Sequence, residues 1–346
     1  MSSRPHLKDY SVERLRERFA GEGLRPFRAE QVAAWLYKRG VEDPRAMTDL
    51  AKDAREALAS AWETRALDVH RVSRSVDGTI KAALRARDGA IVEAVLIPEE
   101  DRTTLCVSTQ VGCPMACSFC ATGALGFTRN LRTAEIVDQV CRMGELLPEG
   151  REINNVVFMG MGEPLLNTDA VVEASRLLVH PRAFALSPRR VTVSTVGVVP
   201  RIAPLLEQVP VNLAVSLHAT TDAVRDRLVP LNEKYPLAVL LDTLRGLPTV
   251  TPKRPVFFEY TLMAGVNDSL EDARRLPRLL HGIPAKVNLI PMNPHPDSEH
   301  RPPTPERVDA FMREVAGRGF PVTVRRSRGP DIQAACGQLA LRGANG

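Results

Sequence analysis

The sequence predicts an α/β chain: a partial (β/α)6 barrel, preceded by a small helical domain and joined to it by a β-meander linker. Three observations predict it. From about residue 103 onward, six apolar strand-like runs alternate with helical stretches. Between residues 69 and 97, apolar and polar positions alternate with a period of two. Before about residue 65, the apolar residues fall at helical spacing behind a capping signal.

Residues 1–66 form the expected helical domain. Ser11-Val-Glu-Arg14 resembles a capping box, Asp43-Pro44 and Met47-Thr48-Asp49 mark later boundaries, and the Val32, Trp35, Leu36 stripe reads as core. Residues 67–98 form the meander, with Asp77-Gly78 and Asp88-Gly89 as hairpin reversals and Ile97-Pro98 as its end. The core, 99–346, starts with TTLCVST and a helix over 133–146. INNVVFM with 169–179, RVTVSTV with 201–207, VNLAVSL with 222–246, PVFFEYTLM with 270–281 and KVNLI with 304–317 follow. Such repeats build a parallel, curved sheet, and six rather than eight leave the barrel open. Chemistry on such a sheet gathers at the C-terminal ends of its strands.

Composition narrows the class. With 346 residues, 44% hydrophobic and 25% charged, the chain can bury a sizeable core. No apolar run approaches the ~20 residues of a membrane span, and the start, MSSRPHLKDY, carries no signal-peptide stretch, so a cytoplasmic protein is expected. The six cysteines are grouped by chemistry rather than spread as staples, which implies a reducing compartment. The net charge of +5 favours a polyanionic partner, although an arginine-rich composition alone would produce it.

Three cysteines lie in Cys113-Pro-Met-Ala-Cys117-Ser-Phe-Cys120, directly after the first core strand. A C-x₃-C-x₂-C loop offers three thiolates to a four-iron cluster and leaves one iron open. That iron can chelate the amino and carboxylate groups of S-adenosylmethionine (SAM) and reduce its sulfonium, which is radical-SAM chemistry. A zinc site would want a fourth Cys or His nearby, and none follows at such spacing. Gly160-Met-Gly162-Glu163-Pro164 follows the second strand, where two glycines let backbone approach a ligand and the carboxylate can accept from a bound amino group. A turn-forming glycine pair is the plain alternative. Ser194-Thr195, Ser216-Leu217-His218 and Asn293 end the third, fourth and sixth strands.

Two other cysteines stand apart. Cys106 lies in the apolar TTLCVST, where an inert strand-core thiol is the simpler reading, and Cys336 lies in the less core-like Gly329-Pro-Asp331-Ile-Gln-Ala-Ala-Cys336-Gly337. Cys141 reads as helix core.

Together, Glu93 in VEAVLIPEE, Cys106 in CVSTQVG, CPMACSFC, GMGEP, RRVTVSTVGVVP, SLH, VNLIPMNP and DIQAACGQL resemble the RlmN family in order and spacing. The resemblance covers nearly the whole chain. It implies a radical-SAM barrel and a methyltransferase acting on adenosine C2 in 23S rRNA, at the peptidyl-transferase centre, and in tRNA, next to the anticodon. It also implies a [4Fe-4S] cluster on Cys113, Cys117 and Cys120, two SAM molecules per turnover, and an electron donor such as flavodoxin. Gly162, Glu163, Ser194, Ser216, Leu217, His218 and Asn293 match its SAM-contacting positions. By the same resemblance Cys336 takes a methyl group and carries it to the base, Cys106 resolves the adduct through a disulfide, and Glu93 accepts a proton. A monomer is expected. Cfr-type relatives share the cysteines and GMGEP but methylate C8; the Ile97–Arg102 segment favours C2. A radical-SAM activase would not need the Cys106 and Cys336 pair, and a noncatalytic RNA-binding module would have no use for GMGEP.

Arg129, Arg132, Arg189, Arg190, Arg325, Arg326 and Arg328 suggest an arginine rim that positions a folded RNA, with an exposed face as the alternative for each.

Overall fold

The computed structural model describes residues 4–296 and 298–340; the outermost residues of the expected helical domain (1–3) and of the core (341–346) lie outside them. Among the described residues twelve strands are formed: β1 Leu67–Arg74, β2 Ile80–Ala86, β3 Ile91–Pro98, β4 Thr103–Cys106, β5 Gln110–Gly112, β6 Phe127–Asn130, β7 Asn155–Phe158, β8 Val191–Thr195, β9 Asn212–Ser216, β10 Val256–Leu262, β11 Ala285–Pro291 and β12 Val322–Val324. Ten make one mixed sheet in the order β1-β2-β3-β4-β7-β8-β9-β10-β11-β12, and β5-β6 is a separate hairpin.

From β4 to β12 every neighbouring pair is parallel, so the curved αβ body has all its strand C-termini at one end. β12 adds a seventh parallel strand to the six expected. The meander pairs antiparallel with it through β3 and β4, Val95 facing Cys106, and thereby extends the sheet instead of merely joining two bodies. Its reversals fall at Asp77-Gly78 and Asp88-Gly89, where both glycines take a left-handed φ of 85° that other residues resist.

The crossover helices match the sequence pattern, with one difference. The stretch 222–246 divides into Asp222–Leu228 and Leu237–Arg245, separated by a 3₁₀ turn at Pro230–Glu233. Pro230 and Pro236 cause the break, because a proline inside a helix removes a backbone donor and collides with the preceding turn. After β4 the cysteine segment fills the loop of the β5-β6 hairpin, and Cys120 leads directly into the short helix Ala121–Ala124.

The N-terminal helices Val12–Gly21, Arg28–Ala33 and Lys52–Ala61 pack into the same apolar core as the sheet. Ser11 caps the first of them by accepting from the Arg14 amide. Charged groups then fasten the unit to the core helix Thr133–Gly144. Lys8 Nζ lies 2.5 Å from Asp138 Oδ1 and 2.5 Å from Glu42 Oε1, and both Lys8 and Asp138 are fully buried. The second Asp138 oxygen accepts from the Ala66 and Leu67 amides at 2.8 Å, while Asp9 caps the helix by accepting from the Ala134 amide at 3.0 Å.

Candidate active site

The C-terminal strand ends surround a cleft of about 150 Å³. Cys113, Cys117, Cys120, Gly162, Glu163, Ser194, Ser216, His218 and Cys336 all line it. Cys106 and Asn293 line an adjoining cavity of about 90 Å³, and Cys336 and Arg325 belong to both. Among the described residues, neither lining includes Glu93 or Leu217.

The cysteine loop is closed at its base by the β5-β6 ladder and by the Cys113 amide donating to Gly126 O at 2.8 Å. Gly112, with φ 74°, is required there, since a Cβ would lie 1.9 Å from the Gly126 oxygen. Burial pushes the Cys113 thiol up to about 12 and raises Cys117 and Cys120 too, so thiolates form here only where positive charge is bound. The described His, Cys, Asp and Glu side chains do not converge in threes on a single-ion site. Three soft donors lining one cleft suit a cluster, which presents each thiolate with its own iron.

Glu163 is buried beside this loop. Its Oε1 accepts from the Leu165 amide at 3.0 Å and its Oε2 from the Val196 amide at 2.9 Å, which aims the carboxylate across the end of β8. Burial raises its pKa to about 7 against those two bonds. The glycines of this motif serve packing as well as access. A Cβ at Gly160 would meet Ser108 Oγ at 2.7 Å, and one at Gly162, whose φ is 102°, would meet Gln110 Cβ at 2.6 Å. The motif therefore lies directly on the segment linking β4 to β5.

His218 takes a left-handed φ of 58°, a conformation that costs energy in a non-glycine residue and turns the ring into the cleft. Its Nδ1 accepts from the Thr261 amide at 3.0 Å, so the neutral ring carries its proton on Nε2; burial first, and Arg225 second, lower its pKa to about 3. Leu217 points into the core, and its backbone is bound to Glu259 O and to the Arg225 guanidinium.

The C-terminal segment crosses the cleft held at many points. The Ala121 amide donates to Gly337 O at 2.8 Å, Thr122 Oγ1 to Leu339 O at 2.6 Å, Asn293 Nδ2 to Cys336 O at 3.0 Å and Gln338 Nε2 to Pro294 O at 2.8 Å. Meander side chains hold its upstream part: Asp77 accepts from the Gly329 amide at 3.0 Å, Ser75 donates to Asp331 at 2.5 Å, and Lys81 donates to Gln333 O at 3.2 Å. Exposed Cys336 is thus carried over the cleft, opposite buried Cys106. Burial pushes the Cys106 thiol up to about 12, with Arg325 opposing. Glu93 shares the sheet face of Cys106, its Oε1 3.0 Å from Lys81 Nζ and its Oε2 accepting from the Ala340 amide at 3.0 Å. Asn293 bonds the Cys336 backbone and Ser327, a positioning contact that the sequence pattern does not reveal.

The arginine rim is largely dismantled. Arg129 is bound bidentately by Asp88 and Glu135, and Arg132 by Asp9. Arg189 and Arg190 precede β8 and so lie at the opposite end of a parallel sheet from the cleft. Arg325 is half-buried in the cleft wall, 3.7 Å from Glu259. Exposed Arg326, with Arg328 beside Glu99, remains at the mouth of the Cys106 cavity. Sequence reasoning missed Glu259 and Arg225. A lone carboxylate inside the apolar PVFFEYTLM run was a signal for the first. Arg225, in DAVRDRL, looks like any arginine on an exposed helix face.

Comparison with known proteins matches residues 107–276 to the Radical SAM superfamily and residues 6–63 to the ribosomal RNA large subunit methyltransferase N-terminal domain. A crystal structure of a radical SAM methyltransferase from Sphaerobacter thermophilus superposes with a TM-score of 0.90 at 45% identity, covering 97% of this chain and 99% of that one. The protein is therefore a radical-SAM enzyme of the methyltransferase kind, and its [4Fe-4S] cluster and SAM belong to that class. The dual-specificity RNA methyltransferase RlmN of Geobacter sulfurreducens is 50% identical over 333 residues, 96% of this chain and 91% of the relative. The RlmN of an Anaeromyxobacter species is 49% identical over 349 residues, 99% and 92%. The chain belongs to the RlmN family of RNA methyltransferases.

Proposed function

We propose that the protein methylates C2 of adenosine in 23S rRNA and in tRNA through an S-methylated Cys336. The observation that carries this reading is the placement of Cys336 between two adjoining cavities, one lined by the three loop cysteines and the other by Cys106. Adenine C2 is electron-poor and lacks a nucleophilic lone pair, so simple displacement on a methyl sulfonium cannot serve it. Cys113, Cys117 and Cys120 hold the cluster, which together with two SAM molecules per turnover supplies a methyl group and an organic radical.

Glu163 receives the SAM amino group, Ser194, Ser216 and the His218 ring line its binding space, and Leu217 and Gly162 contribute backbone. Asn293 supports the Cys336 backbone. Cys336 accepts the methyl as a thiolate and later presents it to the base. Cys106 releases the RNA–protein link by bonding to Cys336, and Glu93 accepts the C2 proton. Arg326 and Arg328 meet RNA phosphate, and the target base leaves its stack to enter.

The reading extends to a helical domain 1–66, a meander 67–98 and a core 99–346, acting as a cytoplasmic monomer reduced by a flavodoxin-like donor. Among the described residues no helix is long and apolar enough to cross a membrane. Mass mapping of ribosomal and transfer RNA from a deletion strain tests the function: 2-methyladenosine should disappear from both RNAs and return with the restored gene. Loss of an 8-methyl mark instead refutes the C2 assignment.

A further inference from the structure

Arg225 is a fully buried arginine, on the helix Asp222–Leu228, and its hydrogen bonds run to backbone carbonyls at the ends of two strands. Its Nη2 donates to Val196 O at 2.6 Å and to Ser216 O at 3.1 Å, and its Nε donates to Leu217 O at 3.0 Å. Nη1 donates to Asn232 Oδ1 at 2.8 Å, and Asn232 in turn donates to Asp222 at 2.9 Å and Asp226 at 2.6 Å, fixing the plane of the guanidinium. Val196 is the residue whose amide holds the Glu163 carboxylate at 2.9 Å. One rigid fork thus ties the end of β8, which aims Glu163, to the end of β9, which carries Ser216, Leu217 and His218.

A buried guanidinium is costly unless its donors are satisfied, and a simpler core would place an apolar side chain here. What the fork adds is geometry. Five N–H groups in one plane can span carbonyls from two strands at fixed separation, which a lysine ammonium on a flexible stem cannot do.

We propose that Arg225 is a positioning residue that sets the width of the SAM site by holding the Glu163 arm and the Ser216–His218 arm at one spacing, without touching the ligand. The proposal rests on the assignment of those two arms to SAM. It predicts that SAM affinity depends on the shape of the residue 225 side chain more than on its charge.

The experiment uses the reconstituted holoprotein and measures SAM dissociation constants by equilibrium dialysis, alongside iron content and the melting temperature of the apoprotein. Arg225→Lys keeps the charge and loses the fork; Asn232→Ala keeps the arginine and frees its plane. Arg225→Lys should weaken SAM binding by roughly tenfold to a hundredfold and Asn232→Ala by less, the scale found when groups that orient a ligating shell are removed. Iron content should be retained in both. Unchanged SAM affinity in both variants overturns the proposal, as does a loss that merely follows falling iron content and melting temperature. Glu163→Gln is measured beside them. If it also binds SAM normally, the assignment of the site fails; if it loses affinity while the Arg225 and Asn232 variants do not, only the role of Arg225 fails.

Discussion

Replacing Cys106 with alanine separates a reactive thiol from a packing one. Cys106 is 8% exposed on β4, and removing its sulfur leaves a cavity of one heavy atom. The cost is about 1 kcal/mol, a small part of the ~5–15 kcal/mol that holds an ordinary domain together. Melting should fall by about 2 °C, and the cluster and both SAM-dependent steps on Cys336 should persist. If Cys106 resolves the adduct, reaction then stops with RNA covalently attached to Cys336. A denaturing gel after one round of reaction, followed by nuclease digestion and mass analysis of the Cys336 peptide, reads this directly. The wild-type enzyme supplies a second check. Its Cys106 thiol is pushed up by burial, and the thiolate is the form that attacks sulfur, so resolution in a single turnover should quicken as the pH rises from 7 to 9. Free methylated RNA released by Cys106→Ala at the wild-type rate refutes the reasoning and returns Cys106 to the core.

Alanine at Cys113, Cys117 or Cys120 should abolish the iron–sulfur absorption and 5′-deoxyadenosine formation together; reductive SAM cleavage by the triple variant would sink the cluster assignment. Lys8→Met removes the nearer of the two cations beside buried Asp138, leaving Arg142 at 3.6 Å, and should cost about 2–3 kcal/mol in urea unfolding. Burial opposes the Asp138 charge, but Lys8 and the surrounding donors outweigh it and leave its pKa below the usual 3.8, so this stabilisation is present above that value and fades as the pH falls through the lowered one. A Lys8→Met variant as stable as wild type would show that the helical unit is held by its apolar contacts alone. Arg326→Ala should weaken RNA binding and reduce the salt slope by about 0.7–0.9, whereas Arg129→Ala, which breaks a bidentate pair, should lower stability and leave that slope unchanged.

Much of the molecule was legible because its signals are local. The Asp-Gly reversals of the meander depend on residues that tolerate positive φ, and the strand–helix alternation follows from side-chain periodicity within each run. The two prolines that divide 222–246 were visible too, and weighing them against the helical period would have found the break. The arginines were misread for the opposite reason. Whether Arg129 meets phosphate or a carboxylate depends on Asp88 in the meander and Glu135 in a core helix, and no local pattern reports those partners.

The sequence by itself determined the cysteine loop, the GMGEP turn and the polar strand ends, because ligand type and spacing within a few residues are properties of a short segment. Only the tertiary structure decided that Cys336 lies across from Cys106, that the meander carries the C-terminal segment, and that Arg225 joins two strand ends. Those facts depend on how the sheet curves and which helix packs where. Such choices are fixed by the summed burial of many side chains, so no one stretch of sequence contains them.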